Sequence, residues 1–155
     1  MDLDTLIRSD RVHLDLEAGN RSEALAVMAS YVAEILGYGA RRIQSALEER
    51  ERLGSTDLGD GFAIPHCKLD GVQSVTVCLF RFDPPVSVSD RSDDLRFAIV
   101  VVSPPEHPAL HLQALAVLAR VLKHATVRQD LLHAEHPEEI VSTLKAVTRP
   151  TTGAA

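Results

Sequence analysis

The sequence predicts an α/β sandwich, and three features carry that expectation. Val12, Leu14 and Leu16 alternate with His13 and Asp15, the two-residue period of a half-buried strand. Leu95 to Val102 is a nearly continuous apolar run rich in branched residues, the pattern of a central strand covered on both faces. Around these runs, apolar residues recur at helical spacing, so strands and helices mix along the chain in the way that layers helices on a sheet.

Each further element follows in order. Asn20 stands three residues before Glu23, a helix-start signal, and Gly37 is the expected stop. Leu25, Met28, Val32 and Ile35 give that helix its buried face. A second helix begins near Ala40 with Ile43, Ala46 and Leu47 on its apolar face, and Arg50 is the next member of that face. Glu48, Glu49, Glu51 and Arg52 fall mostly on the remaining arc. Val75, Val77 and Leu79 read as a strand ending near Phe82, where Asp83-Pro84-Pro85 breaks it. Pro85 to Asp94 reads as a loop with a short extended piece. Ser103-Pro104-Pro105 ends the central strand, and Pro108 suits the first turn of a helix whose face is His111, Leu115, Leu118 and Leu122. A short helix near Thr126 to Ala134 and a last one from Pro137 to Val147 complete one domain, residues 1–148, with 149–155 as a flexible tail.

Composition bounds the function. With 155 residues, 45% apolar and 25% charged, the chain suits a single domain with a real core. Its longest apolar run is far short of a membrane span, and no secretory signal is visible, so no membrane insertion is expected. Two cysteines, Cys67 and Cys78, would not staple a domain of this size, which makes a reducing cytoplasm the expected location. A net charge of −6, scattered basic residues and 4% aromatics argue against nucleic acid as a partner.

The chemistry concentrates between Gly54 and Lys68. Gly54, Gly59 and Gly61 with Ser55, Thr56 and Asp57 make a backbone-rich loop, followed by the apolar run Phe62-Ala63-Ile64, which breaks at Pro65 immediately before His66 and Cys67. Proline fixes its own φ and restricts the residue before it, so the next side chain is presented in a set direction. Arg50 and His111 both occupy apolar helical faces. Arg50 reads either as a side chain whose stem packs while its head stays wet, or as a functional cation. His111 reads either as a hydrogen-bonded core histidine or as part of a site. His66 without these neighbours would be a turn histidine, and Cys67 a small half-buried residue. His13, His107, His124, His133 and His136 read as surface or capping residues.

A phosphoryl group suits such a set. Arginine offers a charged fork, loop N–H groups and the Ser55 and Thr56 hydroxyls can surround phosphate oxygens, and a neutral imidazole nitrogen can attack phosphorus. No nucleotide-binding fingerprint is present, so the donor is expected to be another protein rather than bound ATP.

The run Arg50-Glu51-Arg52-Leu53-Gly54-Ser55-Thr56, followed by Leu58-Gly59-Asp60-Gly61-Phe62-Ala63-Ile64-Pro65-His66, closely resembles the type 2 enzyme IIA domains (fructose/mannitol class) of the bacterial phosphoenolpyruvate-dependent phosphotransferase system. Leu110-His111-Leu112-Gln113-Ala114-Leu115 is a second matching block, and the resemblance extends from about Thr5 to Val147. It implies one domain with a mixed β-sheet sandwiched between helices. It implies that His66 is phosphorylated on Nε2 by a small histidine-containing phosphocarrier protein. His111 then lies beside it and helps hold the phosphate, and Arg50, sixteen residues before His66, contributes to the same pocket. Transfer needs no metal and no diffusible cofactor. A solitary domain looks more like the nitrogen-regulatory branch, which binds regulatory targets such as potassium transporters and sensor kinases, than like part of a sugar permease. A free fructose-like enzyme IIA that passes phosphate to a IIB domain is the alternative.

One departure is Cys67, where many relatives carry Gly; a side chain there could narrow the approach of the carrier or restrict the backbone. Two rivals of other classes remain at this point. One is a hydrolase with Cys67 as nucleophile and His111 or His66 as base. The other is a binding module that docks but transfers nothing.

Overall fold

The computed structural model describes residues 4–87 and 93–148. In chain order these form β1 (Val12–Leu16), α1 (Arg21–Leu36), α2 (Ala40–Arg52), β2 (Asp57–Gly59), β3 (Phe62–Ala63), β4 (His66–Lys68), β5 (Thr76–Val86), β6 (Leu95–Ser103), α3 (Pro108–Val121), α4 (Ala125–His133) and α5 (Pro137–Thr148). A 3₁₀ turn, Ser9–Arg11, precedes β1. The expected tail, 149–155, and the middle of the expected loop, 88–92, lie outside the described residues. Among the described residues no helix is long and apolar enough to cross a membrane.

The sheet is mixed and runs β1-β5-β6-β3-β2, with β4 also paired to β6. Among the described residues the β5–β6 and β2–β3 pairs are antiparallel and the others parallel. Side chains alternate across it, and the two faces build two separate cores. Val77, Leu79, Phe97, Ile99 and Val101 point to the side of α3, α4 and α5. Cys78, Phe80, Ala98, Val100 and Val102 point to the side of α1 and α2. Covering on both faces is why Leu95 to Val102 is apolar without alternation. The sandwich is therefore three layers, helices–sheet–helices.

Local chemistry sets the helix ends as expected. The Asn20 side chain accepts from the Glu23 N–H at 2.8 Å, while Glu23 Oε2 accepts from the Gly19 N–H at 2.7 Å. Such an N-cap contributes about 1 kcal/mol. At the other end Gly37 takes φ of 76°, the left-handed stop. On α3 the buried face is His111, Ala114, Leu118 and Val121, and Leu115 is half-buried.

Three expectations need correction. First, the break expected at Pro65 is present but is not the end of the strand path. The path resumes as β4, and β3 and β4 track β6 with one constant offset of 35 residues, Phe62↔Phe97 and His66↔Val101. Pro65 lacks an N–H and interrupts the ladder, yet its carbonyl still accepts from Val101 N at 3.0 Å, so register survives the break. Second, β5 does not stop at Phe82. It continues to Val86, with Phe82 to Pro85 bulging opposite Arg96 before pairing resumes at Val86↔Leu95. Third, His13 is no surface residue: its ring stacks on Tyr31 at 4.0 Å and Phe80 at 5.5 Å, and its Nε2 is buried without a hydrogen-bond partner among the described residues. A half-buried strand with an aromatic helix face above it accepts an imidazole as a flat packing group.

Candidate active site

His66 lies at the start of β4, which among the described residues borders β6 alone. The alternation that sends Phe62 and Ile64 to the α3 side brings the His66 ring within 5.5 Å, centroid to centroid, of His111 on the first turns of α3. The open edge of β4 is met by the end of α2, and there Arg50 Nε donates to His66 Nε2 at 3.2 Å. Arg50 Nη1 also donates to the Gly54 carbonyl at 3.0 Å, which pins the guanidinium over the end of its own helix. Arg50 and His111 thus leave apolar helical faces because those faces converge on one hollow, rimmed further by Lys68, Leu53 and Leu112.

Both nitrogens of His66 are paired, and each partner permits one arrangement. The Ile64 carbonyl, 2.7 Å from Nδ1, can only accept, so Nδ1 carries the proton. The Arg50 guanidinium can only donate, so Nε2 presents its lone pair. Burial lowers the His66 pKa, a shift the Ile64 bond opposes, the Arg50 charge deepens and the Glu51 charge opposes. Burial also lowers that of His111, to about 4, helped by the charges of His66, Lys68 and Arg50. Both rings are therefore neutral near pH 7. His111 Nδ1 lies 2.7 Å from the Ser103 hydroxyl, a buried polar group at the end of β6.

Ser55 and Thr56, expected to surround phosphate, are turned elsewhere. The Ser55 hydroxyl accepts from the Asp57 N–H at 3.1 Å and faces a neighbouring hollow with Arg21, Asp57 and Phe62. The Thr56 hydroxyl is buried and donates to Glu51 Oε1. The loop backbone turns the Thr56 hydroxyl inward and leaves Ser55 exposed beside the neighbouring hollow, a choice that residue type alone does not reveal. Gly61 shows why the loop needs glycine: its φ is +84°, and a Cβ would lie 2.6 Å from the Asp94 carbonyl oxygen.

Cys67 points to the α1–α2 core, opposite to His66 in the pleat. Burial pushes its thiol up to about 12, so it is neither a ready nucleophile nor a partner for the adjacent imidazole. Its backbone has ordinary strand geometry, so a side chain there causes no left-handed strain. Sequence reasoning missed the contacts of Ser103 with His111 and of Glu51 with Thr56. Ser103 left a signal as the polar residue closing an otherwise apolar buried strand.

Residues 5–147 match the family described as phosphoenolpyruvate-dependent sugar phosphotransferase system, EIIA 2, and the chain belongs to that family. It is a component of a phosphotransferase that moves a phosphoryl group by way of histidine. It is 31% identical over 147 residues to a nitrogen regulatory protein of Bradyrhizobium diazoefficiens, covering 93% of this chain and 95% of that protein. It shares its fold with the nitrogen regulatory protein IIA-Ntr of Neisseria meningitidis, at a TM-score of 0.85 and 24% identity over 92% of this chain and 98% of that one. A chain in the complex of enzyme IIA mannitol and phosphorylated IIB mannitol from Escherichia coli has the same fold, at a TM-score of 0.75 and 22% identity over 90% and 96% of the two chains. The likeness to the Bradyrhizobium protein favours the nitrogen-regulatory branch of the family.

Proposed function

We propose that Nε2 of His66 takes a phosphoryl group from the phosphohistidine of a small phosphocarrier protein in the cytoplasm, and that the phosphorylated chain then acts on regulatory protein targets. The observation that carries the reading is the pairing of His66, with a carbonyl on Nδ1–H and a guanidinium on the Nε2 lone pair. Nε2 attacks phosphorus in line as the donor's N–P bond breaks. The donor imidazole leaves with the bonding pair, and His66 keeps its Nδ1 proton, so no separate base is needed. Arg50, released from the lone pair, can follow the phosphoryl oxygens with its charged fork. With Ser103 donating to Nδ1, neutral His111 keeps a proton on Nε2 to offer to the same oxygens. Lys68 adds positive charge at the rim.

Phosphorylation adds about −1.5 to −2 charges to this open hollow, enough to reject one partner and attract another. The alternative of passing the group to a IIB domain is supported by the likeness to the mannitol enzyme IIA, whose solved complex holds phosphorylated IIB. Incubation with phosphoenolpyruvate, enzyme I and a phosphocarrier tests the first step. Acid-labile phosphate should form on the wild type and be absent from His66→Ala. Labelling of His66→Ala at the wild-type level would defeat the assignment.

A further inference from the structure

We propose that Arg21 is a positioning residue for transfer at His66, acting through Glu51 and Thr56 without touching the imidazole; the proposal rests on His66 being the acceptor. Arg21 opens α1, and no α1 residue lines the hollow around His66 among the described residues. Its guanidinium forks onto Asp57, Nη2 to Oδ1 at 2.9 Å and Nη1 to Oδ2 at 3.4 Å, and Nη2 reaches Glu51 Oε2 at 3.5 Å. The other Glu51 oxygen accepts from the buried Thr56 hydroxyl. The side chains of Arg21, Glu51 and Asp57 are only 23%, 19% and 23% exposed, so this cluster is less screened than surface pairs.

Two strings of contacts lead from the cluster to the two nitrogens of His66. On one, the Thr56 carbonyl accepts from the Ile64 N–H at 3.1 Å, and the Ile64 carbonyl accepts from His66 Nδ1–H at 2.7 Å. On the other, Glu51 is the chain neighbour of Arg50, whose Nε–H meets Nε2 at 3.2 Å. Arg21 therefore ties the end of α2 to the loop that follows, and both partners of His66 hang from those two segments. It also offsets the Glu51 carboxylate, whose charge would otherwise oppose an incoming phosphoryl group.

The experiment reads the His66 ring directly. In Arg21→Ala, ¹⁵N-resolved imidazole spectra at neutral pH should move His66 from a single Nδ1–H form toward a mixture of tautomers. Phosphoryl acceptance should slow about tenfold or more, as expected for a misaligned nucleophile, while the carrier concentration at half-saturation changes little. Arg21→Lys should restore part of both, keeping the charge without the fork. If Arg21→Ala does not fold, Glu51→Gln, which retains an acceptor for Thr56 but loses the charge, should shift the same spectrum in the same direction. A purely structural Arg21 would lower the melting temperature and leave the folded ring in its wild-type form, and that result overturns the proposal. The spectrum needs no phosphoryl donor, so it is separate from the failure of His66 as acceptor, which His66→Ala reports.

Discussion

At the residue scale the neutral state of His66 has a direct consequence. Its folded pKa lies below the ordinary 6.5, chiefly through burial. Initial rates of acceptance from a pre-phosphorylated carrier should therefore be flat above pH 6.5 and fall only below it, as His66 gains a proton and loses its lone pair. Arg50→Ala removes the donor that faces Nε2, and should slow acceptance by 10²–10³, the usual size for loss of one charge-stabilising group. Cys67 gives the opposite expectation. Its thiol is buried and raised to about 12, so iodoacetamide should label it slowly in the folded protein and acceptance should persist unchanged at early times. Arg50 and His111 were legible in the sequence because a polar side chain on an apolar helical face is a conspicuous exception. Arg21 was not, because its partners Glu51 and Asp57 are remote in the chain, and Glu51 stood in the matching run without any sign of what it contacts.

Elements decide how those side chains meet. Pro65 and the constant register of β3 and β4 against β6 place His66 at a free sheet edge where α2 and α3 can both reach it. That junction was half legible: the proline break was visible, but not the strand that resumes beyond it. Strands of two or three residues such as β2, β3 and β4 leave too short a pattern to separate from loop. On the far side, the buried Arg81 of β5 donates to the carbonyls of Leu131 at 2.9 Å and Ala134 at 2.6 Å, fastening the end of α4 to the sheet. Arg81→Ala leaves both carbonyls without that donor and should cost about 2–4 kcal/mol in urea unfolding. The folded fraction should still accept phosphate at the wild-type rate, since α4 adds nothing to the hollow around His66.

For the whole molecule, the three-layer arrangement keeps three histidines below their ordinary pKa, each chiefly by burial: His13, His66 and His111, the last at about 4. The unfolded chain binds more protons than the folded one between 6.5 and those lowered values, so stability is full above pH 6.5 and declines as pH falls toward 4. Each pKa unit corresponds to about 1.4 kcal/mol at most. A urea series from pH 7.5 to pH 4 should show this decline, and His111→Gln should flatten it. The layered fold was legible because two-sided burial of β6 writes itself as an uninterrupted apolar run, while the side of the sheet that each helix covers is fixed only by pairing across the whole chain.

Phosphorus–proton correlation spectroscopy on the chain after reconstituted transfer tests the central claim most directly, because it reports the atom that carries the group. The account predicts phosphorus bonded to Nε2 of His66 with the proton retained on Nδ1. Phosphorus on Nδ1 of His66, or on His111, would contradict it.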